Sequence, residues 1–168
     1  MEPSVGNASP NDDNGSRGYE RRYLHTMIAV NSQGELVEHW PQHDQLFDVR
    51  GGRGPHKIKM SPYDPAKNIW VIDDLLHQIH KFSYDGELLL THGEQLVPGR
   101  GPNNFNRPTD IAWLPDGTYF ISDGYDGTRV AKFDANDNFI MDWGQAPADP
   151  ANPGPNEFNT VHAISISR

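Results

Sequence analysis

Residues 107–133 read RPTDIAWLPDGTYFISDGYDGTRVAKF, and their alternation of short apolar runs with Gly, Pro and Asp clusters decides the fold class. Ile111-Ala112-Trp113 is a short apolar strand, Pro115-Asp116-Gly117 a tight turn, and residues 118–122 a strand rich in β-formers. Asp123-Gly124 and Asp126-Gly127 make a second turn cluster. Residues 129–133 alternate as a third strand, and residues 138–143 supply a fourth. Four strands per unit, each too short to stand alone, predict a propeller blade or a comparable β-array.

The preceding segment repeats this pattern. Asn68-Ile-Trp-Val-Ile-Asp73 matches Thr118-Tyr-Phe-Ile-Ser-Asp123, Lys81-Phe82 matches Lys132-Phe133, Tyr84-Asp85-Gly86 matches Asn136-Asp137-Asn138, and Gly93 matches Gly144. The Phe82 to Phe133 and Gly93 to Gly144 offsets are both 51 residues. A Gly/Pro-rich connection also recurs, as Gly51-Gly-Arg-Gly-Pro55, Pro98-Gly-Arg-Gly-Pro102 and Pro153-Gly-Pro155. Residues 27–40, MIAVNSQGELVEHW, read as the last two strands of an earlier unit, with Asn31 and Trp40 in phase with Asp134 and Trp143.

The 168 residues contain no cysteine, carry a net charge of −9 and are 35% hydrophobic, which permits one modest core and excludes disulfides. The acidic excess and scattered basic residues argue against a nucleic-acid partner. No apolar run approaches the length of a transmembrane segment, and no signal peptide is visible, so the chain reads as soluble, with secreted and periplasmic locations left open. Residues 1–20 are rich in Asn, Asp, Gly, Ser and Pro and are expected to be disordered. Residues 21–168 are expected to form part of an all-β propeller: a part blade at 24–50, blades at 51–102 and 103–155, and the start of another at 156–168. That is about two and a half blades, which reads as a fragment.

Positions at one phase of successive blades occupy equivalent places around a central axis. At the phase just after each linker stand His56, Asp110 and His162, so histidine is expected on alternate blades, 106 residues apart. In a six-bladed ring, alternate blades lie roughly 120° apart, and three such histidines would hold zinc with an open coordination position. Taken singly, each histidine reads as a strand-end residue bonded to a neighbouring carbonyl, and it is the shared phase that brings the metal reading level with it. Tyr125, at the turn after Ser122-Asp123-Gly124, reads either as an acid/base group beside a cation or as an aromatic turn residue packed on the next blade. Arg129 is expected to pair with Asp123 or Asp126, His77 and His80 to bond between blades, and the tryptophans and phenylalanines to fill the core.

The Gly-Pro-His start, the Asn-Ile-Trp-Val-Ile-Asp strand and the Arg-Pro-Thr-Asp-Ile-Ala start resemble NHL repeats, and more closely the lyase domain of peptidylglycine α-amidating enzymes, over about residues 24–168. The resemblance implies a six-bladed β-propeller with an axial zinc held by three histidines. By it, His56 and His162 match two zinc ligands, Tyr125 matches the catalytic base, and the Ile58 carbonyl matches a position near a structural calcium. The implied reaction cleaves a peptidyl-α-hydroxyglycine to a peptide amide and glyoxylate, with a peptide-like or small-molecule substrate. The third histidine and a substrate-binding arginine are expected beyond Arg168, which would leave residues 1–168 inactive alone. Asp126 stands where that family has a cysteine. The alternative is a non-catalytic NHL propeller that presents loops to a protein or ligand partner.

Overall fold

The computed structural model describes residues 25–47 and 54–167, in two compact units divided between Arg53 and Gly54. The polar tail at 1–20 lies outside the described residues.

In the first unit, strands β1 (Ile28–Val30) and β2 (Leu36–His39) form an antiparallel hairpin. Its turn is closed by Asn31, whose Oδ1 accepts from the Gln33 and Glu35 amides, and Gly34 takes the left-handed conformation (φ 82°). A single helical turn, α1 (Asp44–Phe47), follows, and Asp44 accepts the His25 and Thr26 amides.

The second unit holds two four-stranded antiparallel sheets. Strands β3 (Lys57–Met60), β4 (Ile69–Asp73), β5 (Gln78–Phe82) and β6 (Leu88–His92) lie side by side in chain order. Strands β7 (Pro108–Trp113), β8 (Tyr119–Asp123), β9 (Arg129–Phe133) and β10 (Phe139–Trp143) form the other sheet in the same manner. These are successive propeller blades, and they form no closed ring among the described residues. No helix is long and apolar enough to cross a membrane among the described residues.

β4, β8 and β9 are almost wholly buried, as strands covered on both faces must be. The two sheets share one apolar core: Trp70, Ile72 and Ile79 from the first pack with Ile111, Trp113, Tyr119, Ile121 and Phe133 from the second. Trp70 lies 5.0 Å from the Tyr119 ring, and Tyr119 stacks on Phe133 at 5.1 Å.

The strand ladders refine the repeat. β4 and β8 are offset by 50 residues, whereas β5 and β9 are offset by 51. The extra residue falls in the turn that carries Tyr125, five residues at 124–128 against four at 74–77. The next turn keeps the offset of 51, because Gly86 (φ 85°) and Asp137 (φ 66°) hold the same left-handed place; the expected match of Tyr84–Gly86 with Asn136–Asn138 is thus one residue late. The innermost strands need a similar correction. Lys57 pairs with Ile72 and Asp110 with Ser122, so Asp110 is the equivalent of Lys57, and the phase of His56 belongs in the middle blade to Thr109. Asp110 instead bridges the sheets, with its carboxylate 3.2 Å from the Lys57 ammonium and 2.8 Å from that of Lys59.

A buried arginine organises the loops between blades. The Arg129 guanidinium donates to Asp123 (2.9 Å), Asp142 (2.7 Å) and the Arg100 (2.9 Å), Gly101 (3.3 Å) and Asn104 carbonyls. Both Arg129 and Asp123 side chains are 1% exposed. Of the two partners expected for Arg129, Asp123 is the one it takes. Removing the cation strands a buried carboxylate, so Arg129→Met should cost about 3–5 kcal/mol in urea unfolding. The double variant Arg129→Met, Asp123→Asn should lose distinctly less. Equal losses in the two would mean that the carbonyl contacts, and not the ion pair, carry the effect.

Candidate functional site

Three aromatic rings from separate parts of the second unit meet at the end of the blades where β3 and β7 begin. The His56 and His162 ring centres are 5.6 Å apart, Tyr125 lies 5.4 Å from His56 and 5.2 Å from His162, and all three pairs meet edge to face. Tyr125 Oη and His162 Nε2 are 2.8 Å apart, a hydrogen bond. His56 and Tyr125 are half-buried and His162 is exposed.

Each ring is set by its backbone. The His56 amide donates to the Ile72 carbonyl (2.7 Å) at the start of β3. The Gly124 and Tyr125 amides both donate to the Arg107 carbonyl, at 3.2 and 3.1 Å, while Asn106 accepts from the Gly127 amide and donates to the Asp126 carbonyl. This ties the turn bearing Tyr125 to the start of β7. Asp123 contributes from below, accepting the Asn106 amide at 2.7 Å.

His162 arrives by a different route. The strand from His162 onward was expected to be poorly held for want of ladder partners, and residues 160–167 form no strand, with no ladder partner among the described residues. The segment is held by side chains of β7: Thr109 Oγ1 donates to the Val161 carbonyl (2.6 Å), and Asp110 accepts the Ile164 amide (3.2 Å). Burial disfavours ionised Asp110, yet hydrogen bonds from Lys59, the Ile111 and Ile164 amides and Lys57 outweigh it and hold the carboxyl below the usual range. Gly124 permits the approach, since a Cβ there would collide with the Val161 carbonyl.

Arg107 was not singled out as a site residue in the sequence, and its guanidinium lies over the Tyr125 ring, 4.6 Å from the centre. Its partners are 33 and 19 residues away, at Asp74 and Asp126, so no local spacing signals it. His77 does bond between blades, accepting the Arg107 amide at 3.1 Å; burial, reinforced by the Arg107 charge, lowers its pKa and favours the neutral ring this requires. His80 bonds within its own blade, to Thr91 at 3.0 Å. Asp73 caps the turn after β4 through the Leu76 amide. Ile58 sits two residues beyond His56 on the edge strand β3, with its side chain exposed.

The donor set suits a metal in part. With Zn–N bonds of about 2.0–2.1 Å, two imidazoles on a tetrahedral ion have ring centres roughly 5 Å apart, close to the 5.6 Å between His56 and His162. Among the described residues no group of three or more His, Asp or Glu side chains is gathered as a metal site would gather them.

No protein-family profile matches the chain. It is 34% identical over 116 residues to peptidylglycine alpha-amidating monooxygenase of Rattus norvegicus, a match covering 67% of this chain and 11% of that protein. It is 37% identical over 94 residues to peptidyl-alpha-hydroxyglycine alpha-amidating lyase 1 of Drosophila melanogaster, covering 54% of this chain and 17% of the relative. Lyase 2 of the same organism matches at 36% over 94 residues, covering 55% of this chain and 22% of the relative. Over that stretch the chain is a homologue of the peptidyl-alpha-hydroxyglycine alpha-amidating lyases. A solved structure of a protein of unknown function from Bacteroides thetaiotaomicron matches with a TM-score of 0.51 at 25% identity, covering 67% of this chain and 30% of that one. The lyase homologue thus spans between about a tenth and a quarter of the length of these curated relatives.

The crowding at Gly124 has a measurable consequence. In Gly124→Ala the segment carrying His162 must move, so the Ile164 amide should exchange with solvent about tenfold faster as its bond to Asp110 weakens. Gly154→Ala, whose Cβ would approach nothing closer than 3.4 Å, from the Glu157 side chain, should leave that exchange unchanged.

Proposed function

We propose that this chain supplies part of a zinc-dependent peptidyl-α-hydroxyglycine lyase site, in which His56 and His162 are metal ligands and Tyr125 is the base. The observation that carries the reading is the Tyr125–His162 hydrogen bond of 2.8 Å beside His56, in a lyase homologue. The substrate class proposed is the one in the names of the Drosophila relatives, a peptidyl-α-hydroxyglycine.

Cleavage begins with loss of the substrate hydroxyl proton. The O–H electrons become the C=O bond of glyoxylate, the C–N bond breaks with its electron pair going to nitrogen, and the nitrogen takes up the proton removed from the hydroxyl, handed on by the base, to leave as a primary amide. Tyr125 Oη is the group of this chain suited to take the hydroxyl proton, because it faces the imidazoles while its ring is held from the other side. A bound zinc would supply charge stabilisation for the developing alkoxide. His162 Nε2 has one lone pair, which a metal would claim; Tyr125 Oη is then left for the substrate hydroxyl. The Ile58 carbonyl on β3 remains the proposed place of a structural calcium, by resemblance alone.

In the full native protein containing this chain, metal analysis and glyoxylate release from an α-hydroxyglycine-extended peptide test the reading together. His162→Ala should lose zinc and activity. Tyr125→Phe should retain zinc while the rate falls about 10²–10⁴-fold, since only the proton acceptor is removed. A native protein that holds no zinc and releases no glyoxylate would favour a non-catalytic propeller that presents its loops to a partner.

A further inference from the structure

Every polar group of Arg107 is committed, and the commitments converge on Tyr125. Its amide donates to His77 Nδ1 at 3.1 Å, and its carbonyl receives the Gly124 and Tyr125 amides. Its guanidinium donates twice to one Asp74 oxygen, from Nε at 3.2 Å and Nη2 at 2.6 Å, and more loosely to Asp126 at 3.4 Å. The Asp74 side chain is 5% exposed, against 57% for Asp126, so the inner carboxylate is the fixed anchor and the outer one the looser contact. Arg107 also holds φ at 65°, a left-handed conformation that a non-glycine residue keeps only when its surroundings impose it. The result is a charged plane, fixed from the neighbouring blade, lying over the Tyr125 ring at 4.6 Å from its centre.

Tyr125 needs such a support. It stands on the longer, five-residue turn, half-buried, and its hydroxyl bonds a histidine on a segment without strand structure. A phenol so placed has other staggered conformations open to it. The face packed by the guanidinium restricts those that would carry Oη away from His162. Lysine could supply the charge but not the plane, nor donors from two nitrogens held in one rigid fork toward Asp74.

We infer that Arg107 is the positioning residue of Tyr125: anchored through Asp74 and His77 of the preceding blade, it holds the phenol toward His56 and His162. The inference rests on the proposed lyase reading for its consequence in catalysis, but the positioning itself is readable without turnover.

The test uses the full native protein with tyrosine and histidine isotopically labelled, the Tyr125 signals being assigned from Tyr125→Phe. In the wild type, nuclear Overhauser contacts should link the Tyr125 and His162 rings. Arg107→Met, and Arg107→Met with Asp74→Asn, which leaves no stranded carboxylate, should unfold cooperatively yet lose those contacts. Arg107→Lys should not restore them. With an α-hydroxyglycine peptide the same variants should lower kcat about tenfold or more with KM little changed, as expected when a reacting group is misplaced. Contacts that persist in the folded double variant, or a kcat equal to that of the wild type, would overturn the assignment. Lost contacts in a protein whose wild type releases no glyoxylate would leave the positioning standing and remove the lyase reading.

Discussion

The structure of the second unit depends on the buried guanidinium of Arg129. Five of its donor contacts go to groups that would otherwise conflict: two carboxylates that repel each other and three carbonyls of a loop with no ladder of its own. A cation that deep is tolerable only when fully paired, and its pairing ties the Gly/Pro linker to the blade through the Arg100, Gly101 and Asn104 carbonyls. Asp123, fixed on one oxygen by Arg129, uses the other to hold the Asn106 amide. From Asn106 and Arg107 the constraint passes to the turn that bears Tyr125. The core of the blades and the candidate site are therefore connected through a short series of hydrogen bonds, with Arg129 at its buried end.

The same repeat geometry serves two purposes. At the turn after β9 and at its counterparts, a polar side chain bonds the amides beyond it: Asn31 and Asp134 each accept two, from residues two and four further on, and Ser83 accepts one. These turns keep the strands in register, and Asp137 of the turn after β9 also accepts from Lys81 of the preceding blade (3.0 Å) and from the Tyr119 hydroxyl (3.2 Å). At the opposite end of the strands the repeat is broken by one inserted residue, and there Tyr125 appears. A local departure from an otherwise regular repeat is where a functional residue can be introduced at least cost to the core.

Much of this was legible in the sequence because it is written in local patterns. Strand β9 was bounded correctly by its alternation, and β4, β8 and β10 to within one residue at either end. The phase argument also brought His56 and His162 to one place, although it assigned the intervening position to Asp110 when the ladder gives it to Thr109. The slip arose because β7 starts with a bulge between Pro108 and Asp110, which counting from a linker cannot detect. Arg107 was illegible for another reason. Its role is defined by Asp74, His77 and Tyr125, which come together only when two blades pack. The weak hold on the strand after His162 was legible, because a strand pattern becomes a strand only beside a partner and none follows it among the described residues.

The central claim is that Tyr125 and His162 act as one unit on the substrate, and a double-mutant cycle on glyoxylate release by the full native protein measures this directly. Tyr125→Phe, His162→Ala and the pair should each be compared with the wild type. Members of one catalytic unit are strongly non-additive, so the account predicts that the pair loses little more activity than His162→Ala alone. Losses that multiply, so that the double variant falls by the product of the single effects, would contradict it.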